Sequence, residues 1–201
     1  MSLLRTFIAV EIPHPLQEII QQKTKSLRQS IGSSVVRWVP SENMHLTLKF
    51  LGDVSPANID ILTQMLRALA DSCPPFDIHL NGLGSFPSPK RPRVLFVGIQ
   101  APAELEALWR GVESETTRLG YESEEHGFSP HLTLGRVRQN SSTSDQQKIR
   151  KALEETKIDS LGTARVDSVH LYKSELKPTG SAYTKLYSAP LQSIEVKTER
   201  T

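Results

Sequence analysis

The segment Met44-His45-Leu46-Thr47-Leu48 returns 86 residues later as Pro130-His131-Leu132-Thr133-Leu134. Each copy is bounded by turn residues and reads as a strand. Side chains alternate along a strand, so His and Thr share one face and the two leucines the other. The leucines belong in a core, and a His-Thr pair is then presented twice on the opposite face. Packing would explain two repeated apolar positions, but not the same polar pair beside them. The repeat therefore predicts two related strand–helix units that bring two imidazoles to one cleft.

Apolar period and punctuation fill in the rest. Strands are expected over 4–12, 35–39, 45–51, 76–83, 94–99, 131–137, 166–172 and 183–191. Helices are expected from Pro15 to about Ser30, from the Ser55-Pro56 start to about Ser72, from Pro102 to Leu119, and from an Asp145 cap to about Thr156. The Gly/Ser/Pro-rich segment 82–92 reads as a loop. Strands come singly and in pairs without strict βαβ alternation, which predicts an α+β fold with mainly antiparallel sheets and helices outside. No linker divides the chain, so residues 1–201 are expected to form a single domain of two pseudo-symmetric lobes, carrying the motifs at 45–48 and 131–134.

The 201 residues carry 24 basic and 22 acidic side chains, a net charge of +2. Bulk attraction to polyanions is weak, so any nucleic-acid binding must come from a local basic cluster. The lone Cys73 excludes an internal disulfide and a cysteine-rich metal site, and fits a reducing compartment. The N-terminal apolar stretch is short and broken by Glu11, which argues against a membrane span or signal peptide. A cytoplasmic monomer is the expectation.

Imidazole titrates near neutrality, so one histidine can accept a proton while the other donates one. Each threonine hydroxyl can donate to a phosphate oxygen. Base, acid and two oxyanion donors suffice for in-line displacement at phosphorus. Two histidines without a third ligand make a poor zinc site, and the sequence holds no Gly-x-Ser-x-Gly, P-loop or Gly-x-Gly-x-x-Gly pattern. No cofactor is expected.

The sequence resembles the 2H phosphoesterase superfamily, named for two His-x-Thr-x motifs, and within it the RNA 2′,3′-cyclic phosphodiesterases, also called 2′-5′ RNA ligases. The resemblance spans nearly the whole chain. It is carried by Arg5-Thr-Phe-Ile-Ala-Val-Glu11, Val36-Arg-Trp-Val-Pro40, His45-Leu-Thr-Leu-Lys-Phe-Leu-Gly52, Leu83-Gly-Ser-Phe-Pro87, Arg93-Val-Leu-Phe96, Phe128-Ser-Pro-His-Leu-Thr-Leu-Gly-Arg136, Leu171-Tyr-Lys-Ser174 and Gly180-Ser-Ala-Tyr183. It implies two lobes of antiparallel sheet facing a cleft, and metal-independent hydrolysis of an RNA 2′,3′-cyclic phosphate end to a 2′-phosphomonoester. His45 would be the acid that protonates the leaving 3′-oxygen and His131 the base that activates water. Thr47 and Thr133 would hold the non-bridging oxygens.

Arg136 matches a family position that binds phosphate, and a guanidinium fork suits that task. Strict alternation would turn it away from His131, so a bulge or twist at Gly135 is expected. Phe128 is a candidate for stacking on a base, or a core aromatic. Lys90, Arg91 and Arg93 read equally as contacts to an RNA backbone or as solvated surface. His14, His79, His126 and His170 lack a paired threonine and read as surface or satisfied structural residues, and Trp38 and Trp109 as core. Cleavage of 2′-5′-linked oligonucleotides or small cyclic nucleotides, the reverse joining of RNA ends, and non-catalytic RNA-end binding remain alternatives.

Overall fold

The computed structural model describes residues 2–125, 127–177 and 180–192. Nine strands form one antiparallel sheet: β1 (Leu4–Glu11), β2 (Val36–Trp38), β3 (His45–Val54), β4 (Phe76–Ser88), β5 (Arg91–Gln100), β6 (His131–Val137), β7 (Gly162–Val166), β8 (Ser168–Lys177) and β9 (Gly180–Pro190). Eight run in the order β7-β4-β5-β6-β3-β1-β8-β9, and β2 pairs with β6. The helices are α1 (His14–Lys23), α2 (Lys25–Ile31), α3 (Ile59–Asp71), α4 (Ala103–Arg118) and α5 (Thr143–Glu155). The α+β antiparallel architecture is the one expected, with the two halves sharing a single continuous sheet.

One face of that sheet meets the helices. Leu46, Leu132, Leu134, Ile8, Val10 and Leu95 from strands and Leu16, Leu27, Leu62, Leu66, Leu105 and Ile149 from helices all belong to one buried cluster. Burying such a side chain stabilises the fold by about 1.5–3 kcal/mol before entropy is counted. A separate small cluster, Phe7, Ala9 and Tyr172 with Tyr183 against it, sits on the opposite face. Among the described residues that second face carries no helix layer, and it becomes the cleft.

Four local expectations are corrected. The helix from Pro15 is two helices, because the buried Thr24 hydroxyl donates to Ile20 O at 2.8 Å at the junction, a back-bond that bends helices. The segment 82–92 is mostly strand: Leu83 to Ser88 pair with Arg91 to Val97. The Phe96 ring covers Gly84 so closely that a Cβ there would lie 2.4 Å from it. Pro87 and Pro92 face each other near the hairpin tip, where ladder donors are dispensable. The span 166–172 divides into β7 and β8. Finally, Ser142, not Asp145, caps α5; Asp145 completes the box by accepting from Ser142 N at 2.9 Å.

Candidate active site

The two motifs lie on neighbouring strands at the middle of the sheet. β3 and β6 are joined by one registered pair, Leu46 with Leu132. Both leucines are buried toward the helices, so His45, Thr47, His131 and Thr133 stand on the open face. Antiparallel register places His45 beside Thr133 and Thr47 beside His131, with the histidines on a diagonal. Two imidazoles on either side of this one backbone pair leave the open face between them for a tetrahedral group. Each threonine thus faces the other motif's histidine.

Both imidazoles are oriented alike. His45 Nδ1 lies 2.9 Å from Asn43 O and His131 Nδ1 lies 2.7 Å from Ser129 O. A carbonyl only accepts, so each Nδ1 carries a proton and donates it. In the neutral ring, Nε2 is then the bare acceptor. The repeat duplicates the orienting contact as well as the histidine.

The surroundings of the two rings differ. His45 stacks on Phe7 at 4.7 Å and 26°, while Tyr183 stands across it at 5.1 Å and 86°. Burial in this apolar site lowers the His45 pKa to about 4, against a partial rise from Asn43 O. His131 packs against Phe86 and Phe96 at 4.9 and 5.4 Å. Burial lowers its pKa too; the bond to Ser129 O partly offsets this, and the nearby Arg136 charge adds to the lowering.

Each motif contains a bulge at its second leucine. Lys49 pairs with Ile8 and Thr47 with Ala9, leaving Leu48 unmatched; Gly135 pairs with Leu95 and Thr133 with Phe96, leaving Leu134 unmatched. The extra residue reverses the alternation beyond it. Arg136, opposite Val94, therefore shares the face of Phe96, Thr133 and His131. Gly135 answers a different need: a Cβ there would lie 2.6 Å from Val36 Cγ1 and 2.9 Å from Trp38 Cε3, so only glycine lets β2 approach.

In the first motif the same reversal turns Lys49 to the helix side and Phe50, opposite Phe7, to the cleft. Phe50 is 62% exposed and occupies the place that Arg136 holds in the second motif. Sequence reasoning passed over it, although aligning the two repeats on their histidines would have found it. Phe128, by contrast, is half-buried, stacked on Trp109 at 4.9 Å and 9°, and packed against the core.

Beside His45 lies a cavity of about 550 Å³ whose walls include Glu11, Asn43, His170, Tyr172 and Lys185. Lys185 Nζ donates to Glu11 Oε2 at 2.8 Å and Tyr172 Oη donates to Glu11 Oε1. Partial burial alone would raise the Glu11 pKa, but these hydrogen bonds hold it below the usual carboxylate value. His170 is 2% exposed; its Nε2 lies 3.2 Å from Ser168 Oγ and 3.5 Å from Glu11 Oε2, and its buried Nδ1 has no partner among the described residues. His14 and His79 are exposed as expected, and His126 lies outside the described residues. Trp38 and Trp109 are partly buried rather than fully enclosed. Among the described residues, no three His, Cys, Asp or Glu side chains converge as a metal site, and no helix is long and apolar enough to cross a membrane.

Comparison with known proteins gives the same duplication. A model described as LigT like Phosphoesterase matches residues 10–96 and again 97–183. The RNA 2′,3′-cyclic phosphodiesterase of Archaeoglobus fulgidus is 34% identical over 184 residues, covering 91% of this chain and 98% of its own. That of Methanothermobacter thermautotrophicus is 31% identical over 183 residues, covering 91% and 96%. Escherichia coli LigT complexed with 3′-AMP superposes with a TM-score of 0.75 at 26% identity, over 95% of this chain and 99% of its own. A crystal structure from Thermus thermophilus gives a TM-score of 0.75 at 28% identity, over 93% and 97%. With both family halves matched and both His-x-Thr-x motifs on one open face, the chain belongs to the LigT-like phosphoesterases.

Proposed function

We propose that this protein hydrolyses RNA 2′,3′-cyclic phosphate ends to 2′-phosphomonoesters, with His131 as general base and His45 as general acid. The observation that carries the reading is the paired geometry over Leu46 and Leu132. Two imidazoles, each held through Nδ1, turn their Nε2 atoms to one face between two threonines. The names of the Archaeoglobus and Methanothermobacter relatives support the substrate.

The cyclic phosphate sits between the histidines, with the Thr47 and Thr133 hydroxyls and the Arg136 fork on its non-bridging oxygens. His131 Nε2 takes a proton from water as the water oxygen attacks phosphorus. The phosphorus–O3′ bond breaks on the opposite side, and His45 Nε2–H protonates O3′, leaving the phosphate on O2′. Burial, with the Arg136 charge adding to it, favours neutral His131, and the choice of His131 as base and His45 as acid rests on the family resemblance. The same groups run 2′-5′ joining when an RNA 5′-hydroxyl replaces water as the nucleophile: the phosphorus–O3′ bond again breaks and O3′ is again protonated. No metal is needed for any of these steps.

With a pKa of about 4, His45 is neutral in the free protein at pH 7. An anionic phosphate beside it favours the imidazolium, so the acid acquires its proton together with the substrate. NMR titration is expected to place His45 near 4 in the free protein and markedly higher with saturating inorganic phosphate. An unchanged value in phosphate contradicts proton uptake on binding.

Phe50 offers the terminal nucleobase an exposed ring on the same face. Base–aromatic stacking contributes about 1–3 kcal/mol, so Phe50→Ala is expected to lower kcat/KM by roughly tenfold while leaving Tm unchanged. The test of the function is turnover of an oligoribonucleotide bearing a 2′,3′-cyclic phosphate, with EDTA present and the product isomer identified. A 2′-phosphate product supports the reading; chelator-sensitive turnover, a 3′-phosphate product or no turnover overturns it.

A further inference from the structure

β2 and β6 place two arginines directly opposite each other: Arg37 pairs with Arg136 in antiparallel register. Their neighbours Val36 and Trp38 pack into the helix-side core, so both guanidinium groups stand on the cleft face. Paired residues of an antiparallel ladder have Cβ atoms about 4.5–5.5 Å apart, and like charges placed so are destabilising. Among the described residues no carboxylate relieves this pair. The arginines that do form ion pairs there are Arg110, Arg118, Arg150 and Arg165. Next along the sheet, β5 adds Arg93, which is the extra residue of a bulge between Val94 and Pro92, and Arg91 and Lys90 at the hairpin tip. All three are exposed and absent from the same ion pairs. Among the described residues, a chain whose net charge is only +2 thus gathers five cations outside the ion pairs along β2, β6 and the β4–β5 hairpin.

Two exposed cross-strand arginines without a carboxylate repel each other, and an anion lying between or across them relieves that repulsion. Arg136 is matched to the reacting phosphate by the reading above. We propose that Arg37, across β6 from the hairpin that carries Arg91 and Arg93, binds an internucleotide phosphate on the 5′ side of the cyclic end, so that the protein selects RNA chains over mononucleotides. This inference rests on the proposed phosphodiesterase reading, which supplies the first phosphate and its position. The ligand is a single-stranded phosphodiester backbone. Recognition here is of charge and spacing, with no base contact, so it extends to any sequence.

The test compares a mononucleoside 2′,3′-cyclic phosphate with a pentaribonucleotide carrying the same end, for wild type, Arg37→Ala and Arg37→Lys. Arg37→Ala is expected to lower kcat/KM about tenfold on the pentamer and less than twofold on the mononucleoside. It also flattens the salt dependence of pentamer binding by about 0.7 in log–log slope, the share of one phosphate on a single strand. Arg37→Lys restores part of the loss. Tm is unchanged or slightly higher in Arg37→Ala, because a like-charge pair has been removed; a structural role would lower it. Equal losses on both substrates would assign Arg37 to the reacting phosphate and overturn the proposal, and no loss on either would make it a solvated surface arginine. If wild type turns over neither substrate, the phosphodiesterase reading fails by itself. Fluorescence anisotropy with the single-stranded pentamer then decides, and undiminished binding by Arg37→Ala overturns the proposal.

Discussion

His45→Ala and His131→Ala are each expected to lower kcat/KM on an oligoribonucleotide 2′,3′-cyclic phosphate by about 10²–10⁴-fold, the usual contribution of a positioned acid or base. The double variant should fall little further than the worse single one, because base and acid act in one concerted displacement and either loss disables it. Neither substitution should unfold the protein. Both rings lie on the open face, outside the main buried cluster, and each is held by one bond to a backbone carbonyl. Single-turnover rates with Tm for each variant check this. A loss below tenfold in either variant, with Tm intact, would remove that histidine from the proton transfers.

The second large effect concerns stability. Lys49 is an almost fully buried cation whose side chain is 4% exposed. Its Nζ donates to Glu113 Oε1 of α4 at 2.8 Å and to Glu122 O in the segment that leads to His131. Glu113 Oε1 also accepts from Glu124 N, and its other oxygen is buried without a partner among the described residues. Lys49→Met therefore strands a buried carboxylate, which costs about 3–5 kcal/mol, or roughly 10 °C in Tm for a chain of this size. Adding Glu113→Leu should recover most of that loss, since replacing both partners removes the unpaired charge. Thermal denaturation of the two single variants and the double variant checks this. If Lys49→Met alone leaves Tm unchanged, the pair is not the clamp its burial indicates.

The repeat placed the two histidines and two threonines on one face, because His-x-Thr at period two leaves little choice of face, and the order of strands and helices gave the antiparallel α+β frame. The continuous sheet was harder to read, since the two motif strands meet through one registered pair, Leu46 with Leu132, and no local pattern announces it. Period two misplaces whatever follows a bulge. By strict alternation Lys49 would join His45 in the cleft and Phe50 would enter the core, and the extra residue Leu48 exchanges them. The turn expected at Gly135 rests on the need to bring Arg136 inward, whereas the extra residue is Leu134 and the glycine serves the approach of Val36 and Trp38. Segment 82–92 reads as loop because its glycines and prolines are strand breakers in isolation. The ring of Phe96 and the pairing with β5 override that local preference. Phe128 precedes the second motif in sequence, but its partner is Trp109 on α4, a contact no spacing rule anticipates. The group around Glu11, Tyr172 and Lys185 joins residues 174 positions apart in the chain and becomes visible only when β1, β8 and β9 are side by side.

The most direct test of a two-histidine mechanism is the pH dependence of kcat/KM with chelator present. Catalysis needs His131 neutral and His45 protonated, so the rate rises through the lower pKa and falls above the higher one. Burial holds His45 at about 4 and moves His131 below 6.5. The maximum of kcat/KM is therefore expected between about pH 4 and 6.5. The maximum of kcat should lie higher, because bound phosphate raises His45. A kcat/KM profile that is flat from about pH 5 to 9 with chemistry rate-limiting, or one that peaks above about pH 8, would contradict the assignment of both proton transfers to these histidines.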